Sequence, residues 1–387
     1  MQNIGIIAEF NPFHSGHRYI IDEIKGENTA VTVVMSGNFV QRGDTAIVSK
    51  GERAAAALKN GADLVIELPT PWSMATANDF AFGGVSILKN LGNVDGICFG
   101  SECGDIELLK KTAELLMSDE FNAKLNDNLS GGDTFAKSRS NTARLFGAEY
   151  EKVLQSPNDT LATEYIIAAK RLGFDCGFSC VKRVGAAHDS ADFAEHISAT
   201  LIRQQLKDDN FEAVQQYLPD FDKNSNISSI ANIENAILCD LRRKAATDSL
   251  CNIADLSEGI ENRLKNAVLK ATSLDELYSL IKTKRYTLAR VRRLVLSAYL
   301  GIDNTYHAKE PPYIRVLGFT KKGEQILRDA KQTASIPIIA TAADLKNLDE
   351  FGKRVWQNEC IATDIFSLSL TVPQVCGNEY YHKIIKE

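Results

Sequence analysis

Short apolar runs alternate with amphipathic stretches at the start of the chain. Four runs rich in Ile and Val, bounded by Gly, Pro or Asn, have the pattern of buried parallel strands. The stretches between them have helical periodicity, and each ends near a glycine that could cap a helix C-terminus. This repetition predicts βαβ units. The predicted strands cover 3–8, 30–35, 62–68 and 94–99, and the predicted helices cover 17–25, 49–60 and 75–91.

The later periodicity is mainly helical. Ser156 followed by Pro157 is typical of a helix start, because Ser can cap the first amides and Pro fits the first turn. From Ser198 onward the helical pattern continues with few Gly or Pro up to Gly301. The predicted helices are 105–147 (polar), 157–173 and much of 198–300, with a strand at 176–184 and short elements at 314–319, 324–331 and 336–341.

These elements predict an α/β fold in two parts. Residues 1–197 are expected to form a Rossmann-like domain with a parallel sheet and right-handed crossovers. Residues 198–387 are expected to form a mainly α-helical C-terminal domain. Ligands of such sheets gather where strands end, so the loops after the strands are the expected place for chemistry.

The net charge of the chain excludes one class of nucleic-acid-binding protein. The 387 residues include 44 basic and 50 acidic side chains, a net charge of −6, which excludes a protein that coats nucleic acid by being basic throughout. The first 200 residues hold 18 basic and 26 acidic side chains, and the remainder hold 26 and 24. The two halves therefore differ in sign.

Basic residues are concentrated in one segment. Between Lys282 and Lys322 there are ten Lys or Arg side chains against two acidic ones. A helix over 287–300 would place Arg290 and Arg293 on one side, and such a face could follow RNA phosphates with steeply salt-dependent binding. A basic helix face is more often only solvated, so charge alone leaves both interpretations open. The predicted apolar face of this helix is Leu288, Val291, Val295 and Ala298.

Targeting, membrane and metal signals are weak. The N-terminus has no basic region or small-residue cleavage site, and no apolar run approaches the roughly 18 to 20 residues of a membrane span, so we expect a cytoplasmic protein without a membrane partner. The eight cysteines form no CxxC pair. We therefore expect reduced thiols and no protein metal site.

A turn with two histidines follows the first predicted strand. It runs Glu9-Phe10-Asn11-Pro12-Phe13-His14-Ser15-Gly16-His17. Imidazoles beside free amides at a helix N-terminus suit a polyphosphate, and a glycine lets the ligand approach closely. A zincin site would need the two histidines four apart on a formed helix, so the spacing of three excludes it. A surface pair is the ordinary alternative for His-x-x-His alone.

A second pattern that suits phosphate lies at 197–203. Ser198 can cap a helix whose first turn presents Thr200 and Arg203, so that hydroxyl, amides and guanidinium converge on one ligand. Taken alone this is an ordinary N-cap.

Together these patterns resemble the nucleotidylyltransferase superfamily, which has a His-x-Gly-His turn after its first strand and a later Ile-Ser-x-Thr-x-Ile-Arg helix start. The chain resembles most closely the bacterial tRNA(Met) cytidine acetate ligase family, over nearly its whole length. It departs from that family at Ser15, where Asn is common, and at Ala187 before His188, where an aromatic is common. Other matching segments are 4–14, 35–43, 63–69, 99–102, 156–158, Lys182-Arg183, 285–287 and 313–319.

The resemblance implies an ATP site with three catalytic residues, His14, His17 and Arg203, which would stabilise charge at the α-phosphate and the leaving pyrophosphate, with Mg²⁺ accompanying the nucleotide. The implied ATP-binding residues are Ile7, Ala8, Glu9, Phe10, Asn11, Pro12, Phe13, His14, Ser15, Gly16, His17, Arg18, Tyr19, Ile20, Gly100, Asn158, Arg183, Ser198 and Thr200.

The implied reaction activates acetate as acetyl-adenylate and transfers acetyl to N4 of the wobble cytidine of elongator tRNA(Met). Acetate is already ionised at pH 7, so its activation needs no base. DNA is not an expected partner. A small-molecule nucleotidylyltransferase and a non-catalytic, ATP-gated RNA-binding module are the alternatives. Asn38, Gln41 and Arg42 are expected to contact acetate or cytosine, and Lys284, Arg285, Arg290 and Arg293 are expected to contact tRNA.

Overall fold

The computed structural model describes residues 1–129, 133–183, 198–256 and 259–387. Its strands are β1 (Gln2–Ala8), β2 (Thr29–Ser36), β3 (Phe39–Val40), β4 (Asp44–Thr45), β5 (Leu64–Leu68), β6 (Gly96–Ser101), β7 (Gly177–Lys182), β8 (Ile314–Phe319), β9 (Ile338–Ile339) and β10 (Ile385–Lys386).

The helices follow the chain in this order: α1 (Ser15–Ile24), α2 (Lys50–Lys59), α3 (Thr70–Ser73), α4 (Ala77–Leu91), α5 (Ile106–Met117), α6 (Asp119–Leu129), α7 (Phe135–Arg144), α8 (Ala148–Gln155), α9 (Pro157–Leu172), α10 (Ala199–Lys207), α11 (Glu234–Ala246), α12 (Ile260–Val268), α13 (Leu274–Ile281), α14 (Leu288–Leu300), α15 (Asn304–His307), α16 (Lys321–Thr333), α17 (Glu350–Ser369) and α18 (Asn378–Tyr381). Short 3₁₀ helices occupy 211–213, 215–217, 230–233 and 342–347.

One mixed sheet organises the fold. Its strand order is β10-β8-β5-β2-β1-β6-β7, and β9 pairs with β8. The strands β5, β2, β1, β6 and β7 are parallel to one another, whereas β8 is antiparallel to β5. The predicted α/β class with a parallel sheet is confirmed. Strands from beyond residue 198 share this sheet, and the predicted domain division at 197/198 stays a prediction.

Alternate residues of the central strands pack against different helices. Ile6, Val33 and Val65 belong to the core that includes residues of α1 and α2, whereas their neighbours Ile7 and Val34 belong to the core that includes residues of α4 and α9. Side chains alternate between the two faces of a strand, so a sheet covered on both faces needs apolar residues at every position. This is why the strands have continuous apolar runs.

The helices of the second half largely follow the predicted pattern. Thr287 caps α14, and Val291, Val295 and Ala298 are buried. The predicted apolar face is wrong at its first position, because Leu288 is exposed. Among the helices of the described residues, none is long and apolar enough to cross a membrane.

Gly323, in the first turn of α16, provides a test of the packing of that helix on the sheet. A Cβ at this position would lie 1.8 Å from the carbonyl oxygen of Asp63. We expect Gly323→Ala to lower the free energy of unfolding by about 1–3 kcal/mol or more, because the helix must shift away from the sheet. Urea denaturation measures the change.

The matched control is Gly51→Ala in the first turn of α2. Its Cβ would meet the nearest atom, His382 Cε1, at an ordinary 3.5 Å. Because Ala favours helix over Gly by about 1 kcal/mol, this variant should be neutral or stabilising. Equal effects of the two substitutions would contradict the close approach of α16.

Candidate active site

A cleft of about 270 Å³ opens at the carboxyl ends of β1 and β6. The chain order places β2 on one side of β1 and β6 on the other, so this is the point where the strand order reverses and where ligands of open α/β sheets bind. The cleft joins residues that are far apart in the chain. Those predicted from sequence are Ile7, Ala8, Glu9, Phe10, Asn11, His14, His17, Ile20, Gln41, Arg42, Gly100, Asn158, Arg183, Ser198, Thr200 and Arg203.

The two histidines of the turn cap the helix that follows them. Nδ1 of His14 accepts a hydrogen bond from the amide of Gly16 at 3.0 Å, and Nδ1 of His17 accepts one from the amide of His14 at 3.3 Å. Their rings stack with centroids 3.8 Å apart. Since each Nδ1 is an acceptor, each neutral ring has its proton on Nε2. Each ring therefore presents an Nε2–H group, which is a donor.

His17 stays neutral in this position. Burial lowers its pKa well below the usual value, and the neighbouring His14 and Arg183 lower it further. Phe10, which has a left-handed φ of 48°, and Phe13 hold the ring of His17 at centroid distances of 4.8 and 5.7 Å. Backbone conformations of this kind persist where surrounding packing fixes them, often at functional sites.

The helix start at 198–203, predicted to bind phosphate, contacts the turn that holds the two histidines. Ser198 Oγ accepts a hydrogen bond from the amide of Leu201 at 3.2 Å, which confirms the predicted N-cap of α10. Arg203 donates to the carbonyl of Asn11 at 2.7 Å and to the hydroxyl of Thr200 at 3.1 Å. Burial lowers the pKa of its guanidinium. Ile197, His188 and Asp189 lie outside the described residues.

The start of α9 is occupied by carboxylates of the protein. Glu102 accepts hydrogen bonds from the side-chain amide of Asn158 at 2.6 Å and from the backbone amide of Asp159 at 2.9 Å. Asp159 accepts the amide of Glu102 in return, at 2.9 Å. The predicted side-chain cap by Ser156 is wrong, because its hydroxyl donates to the carbonyl of Lys152. The carboxylate of Glu102 instead compensates the partial positive charge at the N-terminus of α9.

A buried guanidinium that the sequence pattern did not indicate supports both loops of the cleft. Arg53 of α2 is 1% exposed. It donates to the carbonyl of Glu9 at 2.7 Å, to those of Ser36 and Gly37, and to that of Val48 at 3.2 Å. Burial lowers its pKa to about 10, with nearby carboxylates acting against that shift. Arg53 therefore stays charged and fixes the ends of β1 and β2.

Asn38 does not reach the cleft, contrary to its predicted contact with substrate. Its side-chain oxygen accepts the amide of Lys50 at 3.0 Å, and its nitrogen donates to Thr363 at 3.2 Å. Beside it, Lys50 Nζ lies 2.6 Å from both Glu67 and Glu379 in a buried cluster. The loop after β2 is therefore fastened to the C-terminal part of the chain, while Gln41 and Arg42 line the cleft.

Only some residues of the predicted ATP-binding segment 7–20 line the cleft. Pro12, Phe13, Ser15, Gly16, Arg18 and Tyr19 are not among the residues that line the cleft. The apolar wall of the cleft could not be predicted from sequence, because core and ligand-facing apolar residues have the same pattern. The additional residues of this wall are Ile6, Ala77, Phe80, Phe99, Pro157, Leu161, Tyr165 and Ala199.

The predicted RNA-binding arginines have different surroundings. Arg293 is mostly buried, pairs with Asp255 at 2.9 Å and donates to the carbonyl of Gln41 at 3.3 Å. Arg290 donates to the carbonyl of Asp255 and lies over the ring of Tyr286. Lys284 and Arg285 are exposed. Strands β3 and β4 pair antiparallel as a hairpin that contains Gln41. Arg293 thus ties α14 to the β3–β4 hairpin, which is a structural role that the sequence pattern did not indicate.

The fold and the cleft are those of a HIGH-type nucleotidyl transferase, and the model of the HIGH Nucleotidyl Transferase family matches residues 1–380. Two relatives named tRNA(Met) cytidine acetate ligase come from Thermoanaerobacter sp. (strain X514) and Caldanaerobacter subterraneus subsp. tengcongensis. They are 37% and 38% identical to this chain, over 99% and 100% of both sequences. The chain belongs to the tRNA(Met) cytidine acetate ligase family, which confirms the resemblance inferred from its motifs.

Solved structures agree over the full length. The crystal structure of Thermotoga maritima TmcAL bound with alpha-thio ATP has a TM-score of 0.90 and 31% identity, and the apo form has a TM-score of 0.92. Each covers 100% of both chains.

The support given by Arg53 can be tested by substitution. We expect Arg53→Met to lower the free energy of unfolding by about 3 kcal/mol or more, because several buried carbonyls lose their donor. Arg53→Lys keeps the charge, but its single ammonium cannot span the carbonyls, so an intermediate loss is expected. Chemical denaturation measures both.

The control is Arg328→Met on α16, where the guanidinium is exposed and pairs with Glu324 one turn away. A change within about 0.5 kcal/mol is expected there, as for other surface ion pairs. A similarly small effect of Arg53→Met would contradict the supporting role.

Proposed function

We propose that this chain is an ATP-dependent tRNA(Met) cytidine acetate ligase. It activates acetate to acetyl-adenylate, releases pyrophosphate and transfers acetyl to N4 of the wobble cytidine of elongator tRNA(Met). The observation that carries the proposal is the convergence of the His14-to-His17 turn and the Ser198-to-Arg203 helix start on one cleft, in a chain that belongs to this family over its full length.

The first step needs positioning and charge stabilisation. The carboxylate of acetate attacks the α-phosphorus of ATP, and pyrophosphate leaves with its negative charge. His14 and His17 can donate from Nε2, and Arg183 and Arg203 bring positive charge to the same cleft. Donors fixed in advance at sites of developing charge are among the largest catalytic effects in enzymes. Adenosine would then lie towards Gly100 and the apolar wall.

Mg²⁺ is proposed as a companion of the nucleotide. The described residues contain no group of three or more His, Cys, Asp or Glu side chains that could hold a metal. Protein sites for Mg²⁺ in phosphoryl chemistry commonly use one or two carboxylates, waters and the phosphates of the substrate. The ion would therefore enter mainly on phosphate oxygens, where it neutralises charge.

The acceptor would approach from the β3–β4 hairpin. Gln41 and Arg42 of this hairpin line the cleft, so they can contact acetate or the cytosine ring. The hairpin packs on α14 through Gly43, where an added Cβ would lie 2.5 Å from the backbone nitrogen of Arg293. The exposed Lys284 and Arg285 precede α14, and they would contact the phosphates of the anticodon arm.

Partial reactions test the proposal. With ATP and labelled acetate, the protein should catalyse acetate-dependent exchange between pyrophosphate and ATP, and it should label elongator tRNA(Met) when that tRNA is added. We expect His17→Asn to slow the exchange by about a hundredfold or more, as does removal of one preorganised donor, while tRNA affinity is retained.

The contrary outcomes point to the alternatives. Adenylylation of a phosphorylated small molecule instead of acetate would indicate a small-molecule nucleotidylyltransferase. Retained tRNA binding without any turnover would indicate a binding module. Loss of tRNA affinity in a folded His17→Asn protein would contradict the separation of the two tasks.

The basic surface is tested by a double variant. Lys284→Ala combined with Arg285→Ala should weaken tRNA binding. The slope of the logarithm of the binding constant against the logarithm of the salt concentration should become shallower by about 1 for each phosphate that is no longer neutralised. Exchange without tRNA should be unaffected. Filter binding at several salt concentrations measures the slope. Lys110→Ala with Lys111→Ala on α5 removes the same charge from the acidic half, and an equal loss of affinity there would refute a local basic site.

A further inference from the structure

The proposed function, on which this inference rests, leaves one chemical task without a residue. When N4 of cytidine attacks the carbonyl carbon of acetyl-adenylate, the nitrogen gains positive charge and must lose a proton before a neutral amide can form. A positioned base that takes this proton typically contributes a rate factor of about 10² to 10⁴. The base must lie in the cleft, within reach of the acceptor.

Most titratable groups that line the cleft cannot accept a proton. Arginines are donors only. His14 and His17 have their Nδ1 atoms engaged as acceptors of backbone amides and their Nε2 atoms protonated, so neither ring has a lone pair left for another proton. The hydroxyl of Tyr165 donates to the carbonyl of Ile7 at 3.3 Å, and burial, together with the nearby Glu9, raises its pKa. Among the described lining residues, Glu9 is the one carboxylate.

Glu9 is held between the two halves of the site. It directly follows β1, and its backbone carbonyl accepts from Arg53 at 2.7 Å. Its Oε1 accepts the amide of Gln41 at 2.9 Å, which aims the carboxylate at the hairpin where the acceptor would enter. Within the described residues, no hydrogen bond is recorded to its second oxygen. Because Glu9 lines the cleft, its carboxylate can accept a proton from a bound acceptor.

We propose that Glu9 is the general base of the acetyl-transfer step. N4 attacks the acetyl carbon and a C–N bond forms, while Glu9 takes one proton from N4. The bond between the acetyl carbon and the phosphate oxygen then breaks, and AMP leaves with the electron pair. The products are N4-acetylcytidine, AMP and a protonated Glu9, which returns its proton to water. Acetate activation does not use this proton acceptor.

The test separates the two half-reactions. Glu9→Gln keeps an oxygen that can accept from the Gln41 amide but removes the base. Because Glu9 lines the ATP cleft, the exchange between pyrophosphate and ATP should slow somewhat. Transfer from preformed enzyme-bound acetyl-adenylate to tRNA, measured in a single turnover, should fall by about a hundredfold more than the exchange does. Glu9→Asp keeps a carboxylate and should restore part of the transfer rate.

The matched control is Glu23→Gln, which removes the same charge from the exposed face of α1 and should leave both half-reactions unchanged. Thermal unfolding of each variant checks that it is folded. If the Asp variant transfers no faster than the Gln variant while both are folded and competent in exchange, the carboxylate is not the base.

The other outcomes overturn the proposal in distinguishable ways. Equal loss of exchange and transfer would make Glu9 a positioning residue. A higher Mg²⁺ requirement for exchange would make it a metal ligand. Unchanged transfer in Glu9→Gln with loss of transfer in His188→Asn would put the base in 184–197. If the wild-type protein itself forms acetyl-adenylate but never labels tRNA, the proposed function fails first, and this inference fails with it.

Discussion

The whole cleft depends on one buried guanidinium. Parallel strands end with their carbonyl groups at one edge of the sheet, where the ladder no longer supplies donors. Arg53 meets the carbonyls of Glu9, Ser36 and Gly37 there, and it also holds that of Val48 just before its own helix. Because the guanidinium is planar and has five donors, it fixes these segments relative to one another. Neutral carbonyls compensate a buried charge only in part, which is why its pKa falls.

A buried ion-pair cluster next to Arg53 connects the same loops to the C-terminal residues. Lys50 lies one turn before Arg53, and its ammonium joins Glu67 at the end of β5 to Glu379 on α18. Burial raises the pKa of Glu67 and of the neighbouring Glu359 on α17, whereas the ammonium of Lys50 outweighs burial at Glu379 and lowers its pKa. The C-terminal residues therefore pack directly against the loop after β2 and stabilise it.

The parts that could be predicted from sequence are those decided locally. The apolar runs predict the bounds of β1, β2, β5 and β6 to within two residues, because burial on both faces makes these runs continuous. The pairing of β8 with β5 could not be predicted, since it joins segments far apart in the chain. Asn38 was misplaced for the same reason: its partner Thr363 has no mark in the sequence. For Arg53 a signal existed, because it follows Lys50 by three residues and precedes Ala57 by four, on the buried stripe of α2.

Arg293, which the sequence pattern predicts as an RNA-binding residue, instead joins α14 to the hairpin beside the cleft. The helical pattern predicts this residue on a solvent-facing side of α14, but Asp255 and the Gln41 carbonyl cover its guanidinium. The same Gln41 supplies the amide that orients Glu9. The exposed basic residues before α14, the hairpin and the cleft are thus joined by direct contacts through packed elements. A tRNA held at Lys284 and Arg285 would therefore be held at a fixed distance from the acyl donor.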